Sequence, residues 1–131
     1  MAAGRSERHL SHDQSERITA FLKPHAMEFS VSVTVAAAET PEARGYAREI
    51  MTSINLAGIP MDTPLNYLLP RDMKAFGQVS GVFIQVKDPN HPPFLAVILK
   101  DALEKGDMHV TYWPNMDFGE ENYTVTVGLL P

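Results

Sequence analysis

Apolar residues along the chain switch spacing several times, and each switch marks an element. Ile18, Phe21 and Leu22 recur at helical spacing. Ahead of them, Ser11-His12-Asp13-Gln14 supplies an N-cap hydroxyl and a glutamine three residues on, and Lys23-Pro24 closes the run, predicting a helix over 11–23. From Ser30 the period becomes two. Val31, Val33 and Val35 alternate with Ser30, Ser32 and Thr34, and this strand is expected to end in the small residues Ala36–Ala38. Thr40-Pro41-Glu42 then reads as a helix start, with a hydroxyl at the cap, proline at the first position and a carboxylate against the dipole. Tyr46, Ala47, Ile50, Met51 and Ile54 keep the helical period. Arg44, Arg48, Thr52, Ser53 and Asn55 cover the other face, and Gly58 suits a left-handed cap.

A helix after a strand calls for a parallel partner strand. The first segment able to supply one is 58–62, a short edge strand at best because Pro60 has no amide donor. Residues 63–78 open with a second Thr-Pro cap signature but meet Pro70, so they are expected to form a short helix closing the core, or an apolar contact surface. Residues 79–87 read as a buried strand, with Val82, Ile84 and Val86 on one face and Phe83 and Gln85 on the other. A rigid turn, Asp88–Pro93, leads into the most apolar helix, with Phe94, Leu95, Val97, Ile98, Leu99, Ala102 and Leu103, ending at Lys105-Gly106. Two alternating segments, 108–113 and 123–129, flank the turn-rich PNMDFGEEN and predict an antiparallel closing pair.

These elements predict an α/β domain over residues 11–131 behind an N-terminal tail, 1–10. Its expected architecture is a small mixed, mainly parallel sheet of four to five strands with three helices. Parallel units that diverge from a central strand favour an α/β/α sandwich with one face thinly covered. The Ser and Thr residues alternating with valines at 30–34 and 124–126 speak for the alternative, a two-layer α/β sandwich, because doubly covered strands are nearly all apolar.

Composition narrows the function classes. With 131 residues, 44% hydrophobic and 21% charged, the chain is long enough for one buried core. A net charge of −5 without a Lys/Arg run disfavours nucleic-acid binding. Zero cysteines exclude disulfides, thiolate catalysis and Cys-based metal sites. No run is apolar for the 18 or so residues that span a bilayer, and the N-terminus lacks a signal-peptide core. The expectation is a soluble, cytoplasmic protein, alone or as part of a longer membrane-anchored chain.

Four stretches together resemble a group of small bacterial α/β (Rossmann-like) domains that have no assigned activity and occur alone or after membrane-spanning segments. They are the helix start at Arg8–Gln14, the Pro-Glu-Ala helix ending Asn55-Leu56-Ala57-Gly58, the strand Gly81-Val82-Phe83-Ile84-Gln85-Val86, and a closing Val-x-Val-Gly. The resemblance transfers no catalytic residue; it implies a module that can work beside a membrane protein.

Chemistry is sparse. No Gly-rich phosphate loop or nucleophile elbow occurs. His9, His12, His25, His91 and His109 lack metal-ligand spacing, so no cofactor, metal or catalytic residue is assigned. Ligands of open parallel sheets lie beyond the carboxyl ends of the strands, which makes Glu39, Thr40, Asp88, Asn90 and His91 the candidate ligand edge of a small-molecule-binding regulatory domain. Glu39, Glu42 and Asp88 place negative charge there and argue against phosphate. The favoured expectation is a non-enzymatic interaction or assembly module with a protein partner or a second copy. Its candidate interface is Leu65, Tyr67, Leu68, Met73, Phe76, Tyr112, Trp113 and Phe118, with the N-terminal tail as a further contact.

Overall fold

Capping chemistry places the helices where the sequence asks for them. In the computed structural model, which describes residues 7–62, 66–68 by backbone, and 80–130, Ser11 Oγ accepts from the Gln14 amide while Gln14 Oε1 accepts from the Ser11 amide, and α1 runs His12–Leu22. A 3-10 turn, Lys23–Glu28, follows it. Strand β1 is Val35–Ala38, and α2, Pro41–Leu56, starts under the Thr40 hydroxyl, which accepts from the Ala43 amide. Gly58 stops it at φ 96°, where a side chain is strained. Strands β2, Asn66–Leu68, and β3, Val82–Val86, precede α3, Phe94–Lys105, and the chain ends with β4, Val110–Pro114, and β5, Tyr123–Val127.

The strands form one mixed, mainly parallel sheet in the order β2-β1-β5-β3-β4. The β1–β2, β1–β5 and β3–β4 ladders are parallel, and β3–β5 is antiparallel. Thus β1, β2 and β5 point one way, and β3 and β4 the other. Both β–α–β units step outward from β5, in opposite lateral directions and with opposite strand polarity. Two right-handed crossovers of that kind put their helices on the same face. Accordingly α2 packs on β1 and β5, α3 on β3 and β4, and α1 lies against both α2 and α3. The expected small α/β domain with three helices and a mixed, mainly parallel sheet is thus present, and the helices among the described residues lie on one face of it.

The ladder register shows why the strands alternate. Val35, Ala37, Val82, Ile84, Val86, Val110, Val125 and Val127 share the helix-facing side, where they meet Ile18, Leu22, Ile50, Ile54, Leu99 and Leu103 in a buried core, with partly buried Tyr112 at its margin. Burial of each large aliphatic side chain contributes about 1.5–3 kcal/mol. The other side carries Ala36, Phe83, Gln85, Trp113, Thr124 and Thr126. There Asn115 Nδ2 donates to Gln85 Oε1 (2.9 Å), Gln85 Nε2 to Thr126 Oγ1 (3.0 Å), and that hydroxyl to Thr124 O (3.2 Å).

Several sequence expectations shift in this frame. Val31 is exposed and Val33 makes only an isolated bridge to Met61, so the paired strand begins at Val35 and runs through the alanines. The parallel partner of β1 is residues 66–68, inside the stretch expected to be helical, and 58–62 contributes that single bridge. The expected closing hairpin is absent, because β3 separates β4 from β5. Gly106 caps α3 as expected, and the residue after it, Asp107, takes the left-handed conformation at φ 63°. Gly106 is needed because a Cβ there would lie 2.7 Å from Ile18 Cδ1 of α1. In the same place Gln14 Nε2 donates to Gly106 O (2.9 Å) and Arg17 Nε to Lys105 O (2.7 Å), so α1 satisfies carbonyls that the end of α3 leaves open.

Candidate functional site

Opposite strand polarity divides the expected ligand edge in two. Glu39 and Thr40 follow β1 at the end of the sheet where the Gly128 amide donates to Gly81 O and the Gly81 amide to Leu129 O, whereas Asp88, Asn90 and His91 follow β3 at the other end, level with Tyr123. Glu39 is exposed and Thr40 is committed to capping α2. The second trio does converge. Asp88 Oδ1 accepts from the Asn90 amide (2.9 Å), its Oδ2 lies 3.0 Å from His91 Nδ1, and the His91 amide donates to Asp88 O (2.9 Å). The His91 ring, and after it the Asn90 amide, hold the Asp88 carboxyl below its ordinary range. Both carboxylate oxygens are therefore spent on bracing an exposed turn.

That turn forms one wall of an open groove of about 770 Å³ at the carboxyl ends of β3 and β4. Pro92, Pro93 and Phe94 around the start of α3, Pro114 at the end of β4, and Met116, Glu120 and Glu121 of the β4–β5 loop also line it. Two large apolar side chains stand in water there: Phe94 is 64% exposed and Met116 is 78% exposed. Among the described residues Lys87 is the one lysine or arginine lining the groove, against Asp88, Glu120 and Glu121, a net negative balance. Among the described residues no group of His, Asp and Glu could hold a metal ion.

Beside the groove, β4 forms an edge of the sheet. Among the described residues its ladder is with β3 alone. The Asn115 amide donates to Val86 O (2.8 Å), and in a parallel ladder alternate residues turn both backbone groups to the same neighbour. Thr111 and Trp113 therefore face β3, while Val110 and Tyr112 present N–H and C=O outward and Pro114 ends the edge without a donor. The aromatic patch expected here is divided by the sheet. Tyr112 lies under Lys100 on the helical side, with Nζ 5.9 Å from the ring centroid. Trp113 lies on the opposite side against Phe83, with centroids 5.8 Å apart. Half-buried Phe118 donates its amide to Asn115 O in the β4–β5 loop. Leu65, Met73 and Phe76 lie outside the described residues, and Tyr67 and Leu68 are described only as backbone of β2.

Phe94 and Met116 were not among the expected contact residues. Phe94 shares the i, i+3, i+7 face of Val97 and Asp101, away from buried Leu99, Ala102 and Leu103, and that register was readable from the sequence. Met116 carries no periodic signal.

A second convergence of polar groups lies at the opposite end of the sheet. Glu42, Tyr46 and Glu49 form one stripe along α2, and residues 7–10 run beside it. Arg8 Nε and Nη2 donate to the two carboxylate oxygens of Glu42 (2.8 and 2.7 Å), and the Arg8 amide adds a third bond (2.9 Å). Nη2 also donates to Gly128 O (2.8 Å), and the guanidinium carbon sits 5.0 Å from the centre of the Tyr46 ring. Glu49 accepts from the Leu10 amide (2.6 Å) and lies 2.8 Å from His9 Nδ1. Hydrogen bonding to Arg8 holds the Glu42 carboxyl below its ordinary range, burial raises the Tyr46 phenol, and Glu49 raises the His9 imidazole. The part of the tail described here is thus engaged by the domain itself. No protein-family model, curated protein or solved structure matches the chain.

Proposed function

We propose that the chain is a non-enzymatic protein-interaction module whose contact surface is the outer edge of β4 and the groove at its carboxyl end. The observation that carries this reading is a strand edge, unpaired among the described residues, lying beside two exposed hydrophobic side chains, Phe94 and Met116. A strand edge gives affinity through backbone hydrogen bonds, and a neighbouring apolar pocket gives selectivity. The partner adds an extended segment to β4 and brings a basic residue to the acidic groove. That segment belongs to a second copy of the chain or to another protein, including a membrane protein of the kind the resemblance implies. In the alternative reading, a small-molecule regulatory domain, the ligand would use one half of the expected edge alone, since the two halves lie at opposite ends of the sheet.

Sedimentation at rising concentration detects a second copy, and affinity capture detects another protein. Phe94→Asp with Met116→Asp weakens whichever complex forms by at least about tenfold. Folding is spared, because both side chains are solvated and an acid suits the first turn of α3. The reading fails if the double variant keeps the complex, or if the wild type stays monomeric and captures nothing.

A further inference from the structure

Arg8 is held as a ligand is held. A carboxylate meets its guanidinium fork edge-on through two nitrogens, a backbone carbonyl caps one of them, and an aromatic ring covers its face. Those are the elements by which proteins recognise guanidinium groups. The side chains of Arg8 and Glu42 are each only 14% exposed, so the pair is sheltered from water. The position is also that of a ligand site, at the carboxyl ends of β1 and β5 and the first turn of α2.

The occupant is attached by little chain. Only His9 and Leu10 lie between it and Ser11, the N-cap of α1, and His9 is solvated. Nor does the site close fully around it, because Arg8 Nη1 is buried without a hydrogen-bond partner. With Arg8 gone, the carboxylates of Glu42 and Glu49 on one helix stripe would strongly favour another cation.

We propose that Glu42, Tyr46 and the Gly128 carbonyl form a guanidinium-recognition site that the chain's own Arg8 occupies in cis, and that an arginine-bearing ligand takes the site in trans when the strap is displaced. The ligand is a free arginine-like molecule or an arginine within a peptide, and both share the chemistry the site reads. This site is separate from the β4 edge and does not depend on that reading.

Arg8→Ala vacates the site. Millimolar guanidinium chloride, compared with equal sodium chloride, should then raise Tm saturably, by at least about 3 °C at saturation. The wild type should show no such rise, and neither should Arg8→Ala with Glu42→Gln. Repeating the titration with arginine amide and with a peptide of residues 6–11 separates the sources: tighter binding of the peptide assigns the site to a protein segment, and equal binding assigns it to a small molecule. In the wild type, excess arginine amide should speed hydrogen exchange at the Leu10 amide severalfold by freeing it from Glu49, a measurement that stands even if Arg8→Ala does not fold. No saturable shift with any of the three probes in a folded Arg8→Ala protein, an equal shift when Glu42 is also changed, or an unchanged Leu10 amide in the wild type overturns the proposal.

Discussion

Replacing Gly106 by alanine tests how α1 is docked on the end of α3. Backbone strain does not enter, because Gly106 has φ −88°, which any residue adopts. On conformational entropy alone the change should stabilise by about 0.4–1 kcal/mol. Packing opposes it. The new Cβ would lie 2.7 Å from Ile18 Cδ1, 2.8 Å from Ile18 Cγ1 and 3.3 Å from Leu103 O. Ile18 is fully buried and cannot swing into solvent, so relief requires α1 to move. Movement would lengthen the bonds from Gln14 to Gly106 O and from Arg17 to Lys105 O. Overpacking of this kind costs about 1–3 kcal/mol, and the net expectation is destabilisation by about 1–2 kcal/mol, or roughly 4–8 °C in Tm for a chain of this size. Urea denaturation followed by circular dichroism measures it. The decisive arm is the background: Ile18→Ala alone costs about 2–5 kcal/mol, but within it Gly106→Ala should become neutral or stabilising, because both offending atoms are gone. A Gly106→Ala protein as stable as wild type, or the same loss in both backgrounds, refutes the account.

Three further outcomes follow from buried polar groups. Tyr123 Oη is buried without a partner, and desolvation pushes its phenol up to about 12, so spectrophotometric titration should find one tyrosine ionising near there; Tyr123→Phe should be neutral or stabilising by up to about 1 kcal/mol, and a larger loss would mean the hydroxyl has a partner. Thr126→Val removes the acceptor of Gln85 Nε2 on the buried side away from the helices and should cost about 1–3 kcal/mol in a urea melt, while Thr124→Val, which keeps the backbone carbonyl, should cost less. Because the Glu42 carboxyl is depressed in the folded state, its contribution is present above its ordinary value of 4.5 and is lost as pH falls through the lower folded value; stability of Glu42→Gln should therefore fall less steeply than wild type below about pH 4.5, and equal acid slopes would show that Arg8 does not engage Glu42 in solution.

What could be read in the sequence was whatever short-range chemistry decides. The two capped starts, Ser11 and Thr40, the left-handed Gly58 and the span of α3 follow from residues a few positions apart, and each is where its local pattern puts it. Arg8 shows the opposite case. Its partner Glu42 is 34 residues away and its other acceptor, Gly128, 120 residues away, so nothing near Arg8 announced that the tail would be tied down. Gly106 was legible as a helix end but not as a contact with Ile18, because closeness between elements carries no periodic signal.

Strand order is the long-range decision that mattered most for function. Tyr123–Val127 and Val110–Pro114 alternate on either side of a turn-rich loop, and local reasoning pairs such segments as a hairpin. The hairpin loses because β5 can instead take the central place between β1 and β3, where Val125 and Val127 become fully buried and both of its edges are paired. One substitution of partner changes three things at once. It turns β3 and β4 against β1, which puts both crossover helices on one face. It sends the carboxyl ends of the two β–α units to opposite ends of the sheet, which divides the expected ligand edge. And among the described residues it leaves β4 paired on one side only, the edge to which the proposed partner strand would add. The shared face of α2 and α3, the separation of Glu39 from His91 and the β4 edge beside Phe94 are thus consequences of a single choice of neighbour for β5.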